Sequence, residues 1–313
     1  MYRFVVRRML LSIPTLLIVS FLVFGMIRLD PDSVVAARLG EGYTPEQAER
    51  IKDEYGLNNP IVTEYARWMG NILQGDWGES AYTYRPVLKE MGPRIAVTLE
   101  LAFLAVMFSI LIGVPIGVFS AMRQDQWPDY TLRSFSVFGL AVPGFIIATV
   151  FLAFMANQFE WGPRLGYRGP IDDPLRNIAQ MALPAFILAM ATSAQVMRFA
   201  RAMMLDVLRQ DYIRTAWSKG MRERTVIARH ALKNALLPVI TVLGLTMATL
   251  VGGTVIFEQI FTLPGLGRHI VIAVQQKDFA VVQGVALFFS VAVVFINLVV
   301  DISYTVLDPR SRV

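Results

Sequence analysis

Cysteine is absent from this 313-residue sequence, and histidine occurs only twice. Without cysteine the chain can form neither a disulfide framework nor a zinc–thiolate site, and it has no cysteine nucleophile. Charged residues are also scarce, at 17%, whereas hydrophobic residues make up 55% of the chain. Soluble domains are nearer to about 25% charged and 45–50% apolar. The composition therefore disfavours an ordinary soluble domain, and it excludes disorder because disordered chains are poor in hydrophobic residues.

Six hydrophobic runs are long enough to cross a membrane, since a bilayer core about 30 Å thick requires roughly 20 apolar residues in a helix. The runs are Met9–Ile27, Ile95–Met122, Ser134–Phe159, Asn177–Met197, Ala235–Phe257 and Phe279–Val300. The first run is too long for a typical signal-peptide core, and no small-x-small cleavage site follows it. The sequence therefore predicts an all-α membrane protein with six transmembrane helices, the first of them retained.

Proline lies inside or at the end of five of these runs. The five prolines are Pro14, Pro115, Pro143, Pro184 and Pro238. Gly113 and Gly117 surround one of them with the small-x-x-x-small spacing that allows two membrane helices to approach closely. Ordinary helix packing explains any single proline, because neighbouring helices re-satisfy the freed backbone groups. Kinks in five of six helices nevertheless favour a bundle that opens and closes.

Lys and Arg are distributed unevenly over the segments between the runs. Residues 1–8, 123–133, 198–233 and 304–313 lie on one side, and residues 28–94, 160–176 and 258–278 lie on the other. The first side carries 16 basic residues in 65 positions, and the second carries 13 in 105. Because Lys and Arg concentrate in cytoplasmic loops, the first side is predicted to be cytoplasmic, together with both termini. The positive charge thus reports topology, and we expect no nucleic-acid partner.

The segment 28–94 is too long for a simple connector and carries helical signals. Thr44-Pro45-Glu46-Gln47 has the pattern of an N-cap followed by a capping box, and Gly56 ends that predicted helix. A second amphipathic helix follows Asn59-Pro60. We predict a small outward-facing helical subdomain, which either docks an external partner or braces the first two membrane helices. The sequence thus divides into 1–27, 28–94 and a five-helix core, 95–313.

The segment 198–233 has the pattern of a helix, a glycine turn at Gly220 and a second helix from about Glu223. It is dense in Arg, and its first helix continues inward from the fourth run. Two interpretations remain open from the residues alone. The segment is either a basic amphipathic element that lies on anionic membrane lipid, or a projection that fits a groove on a cytoplasmic protein.

Signatures of catalysis are missing from the sequence. No G-x-x-x-x-G-K-[ST] loop occurs, so we expect no nucleotide site. The histidines, His230 and His269, are predicted on opposite sides of the membrane and cannot share a metal or a triad. No pair of carboxylates has a spacing that indicates acid–base chemistry. We therefore expect no catalytic residue, no metal and no cofactor on this chain.

One acidic residue, Glu100, lies within a hydrophobic run, about one and a half turns inside its predicted outer end. Charged side chains at such positions usually face the interior of the bundle. Glu100 is therefore a candidate residue of a translocation pathway, and a helix-end ion pair with Arg94 is the alternative.

Several ordered motifs carry a family resemblance. They are Arg-Thr-Ala-x-x-x-Gly at 214–220, the stretch from Arg229-His230 to Leu237-Pro238, Gly75-Asp76-Trp77-Gly78-Glu79-Ser80, Pro264-Gly265-Leu266-Gly267 and Asp308-Pro309-Arg310. Together they resemble the permease subunit of ATP-binding-cassette (ABC) importers of the oligopeptide, dipeptide and nickel branch. The first motif resembles the general form Glu-Ala-Ala-x-x-x-Gly, from which Arg214 and Thr215 depart.

The resemblance implies a subunit that forms half of a translocation pathway for peptide-like solutes in the bacterial inner membrane. Its implied partners are a second homologous permease, two cytoplasmic ATPases that hold ATP and Mg, and an external substrate-binding protein. It also implies that the segment 198–233 is a coupling-helix loop which contacts an ATPase. The residues assigned to this contact are Arg214, Thr215, Ala216, Trp217, Lys219, Gly220 and Met221.

The alternative function is that of an ion-coupled secondary transporter. Such proteins often contain an internal inverted repeat. The 67-residue segment 28–94 has no counterpart elsewhere in this sequence, and no chain of ionisable groups crosses the predicted spans. The sequence therefore favours the importer subunit.

Overall fold

The computed structural model describes residues 2–40, 42–164 and 166–307. This part of the chain is helical, and it contains no β-strand beyond an isolated bridge between Glu79 and Pro86. The first seven helices are α1 (Tyr2–Gly25), α2 (Pro31–Leu39), α3 (Pro45–Glu54), α4 (Ile61–Leu73), α5 (Val87–Met122), α6 (Trp127–Ala141) and α7 (Gly144–Phe159). The others are α8 (Pro174–Leu208), α9 (Asp211–Ser218), α10 (Glu223–Thr225), α11 (Leu232–Ile260), α12 (Leu266–Gln275) and α13 (Phe279–Leu307).

Five helical segments of this part of the chain are long and apolar enough to span a membrane alone. They are Val6–Arg28, Val87–Met122, Pro174–Leu208, Glu223–Ile260 and Phe279–Ser303. The segment Glu223–Ile260 includes a π-helical stretch, Val226–Ala231, between α10 and α11. These segments confirm the all-α membrane fold expected from the hydrophobic runs.

The run Ser134–Phe159 was expected to form one helix, and this expectation is wrong. Two helices, α6 and α7, meet there at an angle of 87°. The break follows from Pro143, which caps α7 and restricts the preceding residue to extended backbone. Val142 accordingly has φ −98° and ψ 116°. The pair supplies the sixth span only if the two helices are counted as one crossing.

The chain folds into two compact units. Among the described residues, one consists of Leu99–Leu263 with 296–307, and the other consists of Tyr2–Thr98 with Pro264–Phe295. Each unit therefore combines segments that are distant in sequence. The division at residues 27/28 and 94/95 stays a prediction, and the motif Asp308-Pro309-Arg310 lies outside the described residues.

In the unit that contains α8, helices α5 and α8 cross closely where the sequence has its two spaced glycines. A Cβ atom on Gly113 would lie 2.7 Å from the carbonyl oxygen of Ser193. A Cβ on Gly117 would likewise lie 2.9 Å from the side chain of Ala200. Any larger residue would force the two backbones apart, so the spacing has the packing role that the sequence indicated.

In the unit that contains α1, the predicted helices of the segment 28–94 are present. Thr44 accepts a hydrogen bond from the backbone of Gln47 at 3.3 Å, and the Gln47 side chain accepts one from Thr44 N at 2.9 Å. This is the expected capping box at the start of α3. Helix α4 packs on α1 through Tyr65, whose ring lies 5.2 Å from that of Phe21.

Candidate functional site: the loop between α8 and α11

The loop between α8 and α11 is ordered helix and turn throughout. Helix α8 continues past the apolar run to Leu208, and the short helix α9 begins three residues later. After the turn at Gly220, helix α10 and the π-helical stretch lead directly into α11. The expected pattern of helix, glycine turn and helix is therefore present, although the π-helical geometry was not foreseen.

Gly220 terminates α9 with left-handed backbone geometry, at φ +72°. Its N–H donates to the carbonyl of Trp217 at 2.9 Å, and the N–H of Met221 donates to Ala216 at 3.4 Å. These two bonds form a Schellman motif, which satisfies the last carbonyls of the helix. A side chain at this position would be strained by the backbone, although no atom lies within 4 Å of its Cβ position.

One face of α9 is buried and holds the loop against the membrane helices. Ile213 is fully buried and Ala216 nearly so. They form a hydrophobic cluster with residues of α5, α8, the π-helical stretch and α11, namely Ala121, Met204, Val226, Ala231 and Ala235. Burying an isoleucine contributes about 1.5–3 kcal/mol. The loop is thus fixed to three membrane helices, so a displacement of α9 would be transmitted to them.

The opposite face of α9 is exposed. The side chain of Arg214 is 74% exposed, and Trp217 is 42% exposed. Thr215, Lys219 and Gly220 are exposed as well, whereas Met221 is half-buried against the hydrophobic cluster. The residues assigned to the site by sequence therefore form two sets. Five of them present an outer surface, and Ala216 and Met221 hold that surface in place.

A buried ion pair, missed in the sequence, lies at the base of the loop. Arg201 of α8 donates to both carboxylate oxygens of Asp129 of α6, through Nε at 2.7 Å and Nη2 at 2.6 Å. Ser120 of α5 donates to the same carboxylate at 2.5 Å, and so does the backbone of Asp125 at 3.1 Å. Asp129 is completely buried.

This cluster, Ser120–Asp129–Arg201, links α5, α6 and α8. It lies next to the hydrophobic cluster that holds α9 in place. Ser120 precedes Ala121 in the chain, and Arg201 is three residues from Met204, both of which belong to the hydrophobic cluster. A bidentate Arg–carboxylate pair is geometrically specific as well as strong. The only sequence signal was an acidic residue in the first turn after Trp127-Pro128, which is also a common helix-start pattern.

The second candidate position, Glu100, accepts a hydrogen bond from the hydroxyl of Tyr167. Tyr167 belongs to the segment 160–173, which two buried amides attach to α8. Gln180 donates to the carbonyls of Arg164 at 3.1 Å and Gly166 at 3.0 Å, and Asn177 donates to that of Arg168 at 2.9 Å. Burial, and then the bond to Glu100, raise the pKa of Tyr167, so it remains a neutral donor.

Within the described ranges, no group of three or more His, Asp or Glu residues could hold a metal ion. The exposed face of α9 is a basic and aromatic surface, formed by Arg214, Trp217 and Lys219.

These features define a multi-pass, all-helical membrane protein with a structured loop between two of its spans. The family described as "Binding-protein-dependent transport system inner membrane component" matches residues 113–313. The corresponding N-terminal family of these membrane components matches residues 1–102. The chain belongs to this family of inner-membrane transport components.

Curated relatives extend over almost the entire chain. The oligopeptide transport system permease protein AppB of Bacillus subtilis is 37% identical over 313 residues, covering 99% of each chain. The dipeptide transport system permease protein DppB of Alkalihalophilus pseudofirmus is 36% identical and covers 100% of each chain. A Brucella abortus protein, provisionally named a peptide transport system permease, is 40% identical over 308 residues and covers 98% of each chain.

Solved structures of ABC transporters share the fold. The methionine transporter MetNI in inward-facing conformations gives a TM-score of 0.57 at 17% identity, covering 71% of this chain and 97% of that one. An amino acid ABC transporter gives 0.54 at 18% identity, covering 68% and 92%. At these identities the likeness concerns the fold alone.

The comparisons confirm the family resemblance drawn from the motifs. The protein is a permease subunit of an ABC importer and a multi-pass protein of the bacterial inner membrane. The ion-coupled secondary transporter finds no support among the relatives.

Proposed function

We propose that this chain forms half of a translocation pathway for peptides or peptide-like solutes. Its partners in the proposal are a second homologous permease, two cytoplasmic ATPases and an external substrate-binding protein. The peptide assignment rests on the relatives, whose names specify peptide, dipeptide and oligopeptide transport. ATP and Mg belong to the ATPases, and this chain holds no cofactor and performs no chemistry of its own.

In the proposed orientation, the 198–233 loop and both termini lie in the cytoplasm. The excess of Lys and Arg on that side supports this assignment. The segment 28–94, with its capped helices, then faces outward. It either receives the binding protein or braces α1, against which α4 packs.

The rigid attachment of α9 is the observation that best supports a coupling role. Its exposed face carries Arg214, Trp217 and Lys219, and its buried face is continuous with α5, α8 and α11. ATPase closure would displace this exposed face, and the hydrophobic cluster would carry the displacement into the membrane helices. The Ser120–Asp129–Arg201 cluster would extend it to α6, and the break at Pro143 gives α7 freedom to reorient. Alternating access then follows as movement of packed helices.

On the outer side, the bond between Tyr167 and Glu100 would close the segment 160–173 over α5. In the proposal, Glu100 belongs to the translocation pathway. When the segment opens, water or a polar group of the solute would replace the Tyr167 hydroxyl as the hydrogen-bond donor to Glu100.

Reconstitution of the complete importer in proteoliposomes tests the function. We expect uptake of a labelled peptide that requires both ATP and the binding protein. Uptake by this chain alone, driven by an ion gradient, would overturn the proposal. Peptide uptake by the ATPases and the second permease without this chain would also overturn the proposal.

A further inference from the structure

A groove with a volume of about 240 Å³ runs between α8 and α11. Both helices belong to the same compact unit. The groove is lined by Thr192, Gln195 and Phe199 from α8, and by Val242, Leu245, Thr246, Thr249 and Leu250 from α11. Each set follows the i, i+3, i+4 spacing of one helical face.

The groove lies deep within the spans and contains no charge. Thr246 is the central residue of α11, and Gln195 lies 13 residues before the end of α8 at Leu208. The sequence has no charged residue between Arg176 and Arg198, or between Lys233 and Glu258. Polar atoms in the groove are therefore hydroxyls and one carboxamide.

The hydroxyls already use their donors on their own helices. Thr192 donates to the carbonyl of Ala189 at 2.9 Å, Thr246 to Val242 at 2.7 Å, and Thr249 to Leu245 at 3.1 Å. The hydroxyl of Thr192 also shares a hydrogen bond with that of Ser109 on α5, so the free accepting capacity lies with Thr246 and Thr249. Because these hydroxyl protons are bonded to backbone carbonyls, the threonines make their side of the groove only mildly polar.

The carboxamide of Gln195 is different, because none of the hydrogen bonds among the described residues involves it. Gln195 is half-buried and opens into the groove. An unpaired amide against hydrocarbon is costly, since lipid offers no hydrogen bonds. Polar side chains within spans face a bundle interior or a water-filled cavity. The amide therefore requires a polar neighbour that the chain itself does not provide.

We propose that this groove is a segment of the translocation pathway and that Gln195 forms transient hydrogen bonds with backbone amides of the passing solute. The inference rests on the proposed peptide transport. A carboxamide presents both donors and an acceptor, which match the N–H and C=O groups common to all peptides. An uncharged lining also has no electrostatic preference between acidic and basic side chains. The site thus recognises the peptide backbone and tolerates its side chains.

Cysteine accessibility tests the location of the site, because the chain has no cysteine of its own. Gln195→Cys in the complete importer should react with a water-soluble, membrane-impermeant thiosulfonate, and transported peptide should slow the reaction. The matched control is Val196→Cys. Val196 is adjacent to Gln195 but fully buried, so a cysteine there should remain unmodified. Modification of Gln195→Cys by a lipid-soluble maleimide alone would place the groove against lipid. No modification by either reagent in any nucleotide state would place it under the second permease. Both results overturn the inference.

A charge substitution tests the recognition. Gln195→Glu should lower uptake of an acidic tripeptide about tenfold relative to a neutral one, because a carboxylate in a weakly polar groove repels anions strongly. Gln158→Glu makes the same change at an exposed position near the end of α7 and should leave that ratio unchanged. An equal loss for acidic, neutral and basic peptides would indicate a merely structural role and overturn the inference.

ATP hydrolysis stimulated by the binding protein is measured on the unsubstituted importer in parallel. If the unsubstituted importer shows no stimulated ATP hydrolysis, the proposed function itself fails. If it does show stimulated hydrolysis, a negative result with the variants counts against the groove alone.

Discussion

The backbone of Gly220 determines how the chain turns between α9 and α10. Its φ of +72° lies in the left-handed region, where any residue with a Cβ is strained by on the order of 1 kcal/mol. That strain is too small to unfold the protein. It is large enough, together with an added side chain at the exposed tip of the loop, to misplace the surface formed by Trp217 and Lys219.

We predict that Gly220→Asp leaves the protein inserted and abundant while ATP-dependent uptake is lost. Gly75→Asp is the matched control, because Gly75 is also exposed, has φ +88°, ends α4 with the same pair of backbone hydrogen bonds and has open space around its Cβ position. Quantitative immunoblotting and uptake on both variants measure the effect. Normal uptake by Gly220→Asp would argue against a coupling role for the turn.

Asp129 illustrates a different kind of residue, one whose charge is buried and fully partnered. Removing one member of such a pair leaves the other uncompensated, at a cost of about 3–5 kcal/mol. We predict that Asp129→Arg lowers the thermal unfolding temperature in detergent and that adding Arg201→Asp restores a large part of the loss. Asp206→Arg makes the same change at an exposed position of α8 and serves as the control. If the double variant were no more stable than Asp129→Arg, the ion pair would not be the link between α6 and α8.

At the scale of elements, α9 shows how a helix of eight residues is held in place. Isolated helices of this length are marginal in water, so its stability comes from tertiary packing. Ile213 supplies the largest share, because its side chain is fully buried among residues of α8, the π-helical stretch and α11.

Ile213→Asp should therefore release α9 from the membrane helices, since a buried unpaired carboxylate is strongly unfavourable. We expect trypsin to cleave after Arg214 and Lys219 much faster than in the unsubstituted protein. Gln210→Asp introduces the same charge at an exposed position just before α9, away from both cleavage sites, and should leave the cleavage rate unchanged. Equal rates for the two variants would contradict the anchored loop.

Much of this architecture could be predicted from sequence because its causes are local. Runs of apolar residues indicated the spans, the Thr44–Gln47 pair indicated the start of α3, and Gly220 indicated a turn. The 87° break between α6 and α7 was missed because proline in a membrane helix produces outcomes from a mild kink to a complete break. Packing around Val142 and Pro143 decides between them, and a single sequence does not contain that information.

The candidate site was predicted less completely. The exposed residues of α9 could be assigned by motif, whereas the pairing of Asp129 with Arg201 joins positions 72 residues apart. Periodicity does not reveal which helices become neighbours. The bond between Tyr167 and Glu100 was missed for the same reason, since Tyr167 lies in an irregular segment.

At the scale of the whole molecule, the proposed topology assigns each loop to one side of the membrane. Cysteine introduced at Gln47 or Asp172 should react with an impermeant reagent in intact cells. Cysteine at Gln126 or Glu223 should react only after permeabilisation. The cysteine-free sequence removes background from this chain. Labelling of the second pair in intact cells would contradict the orientation with both termini in the cytoplasm.

The central claim is that the exposed face of α9 contacts an ATPase subunit, and photo-crosslinking within the complete importer tests it most directly. A photoreactive amino acid at Lys219 is expected to form a covalent adduct with an ATPase subunit, and the adduct should change in yield between nucleotide-free and nucleotide-trapped states. The same amino acid at the exposed position of Asp211, near the start of α9, reports whether contact is confined to the turn. Crosslinking of Lys219 to an ATPase is the result that the account predicts. Crosslinking to lipid alone, in every nucleotide state, would contradict it.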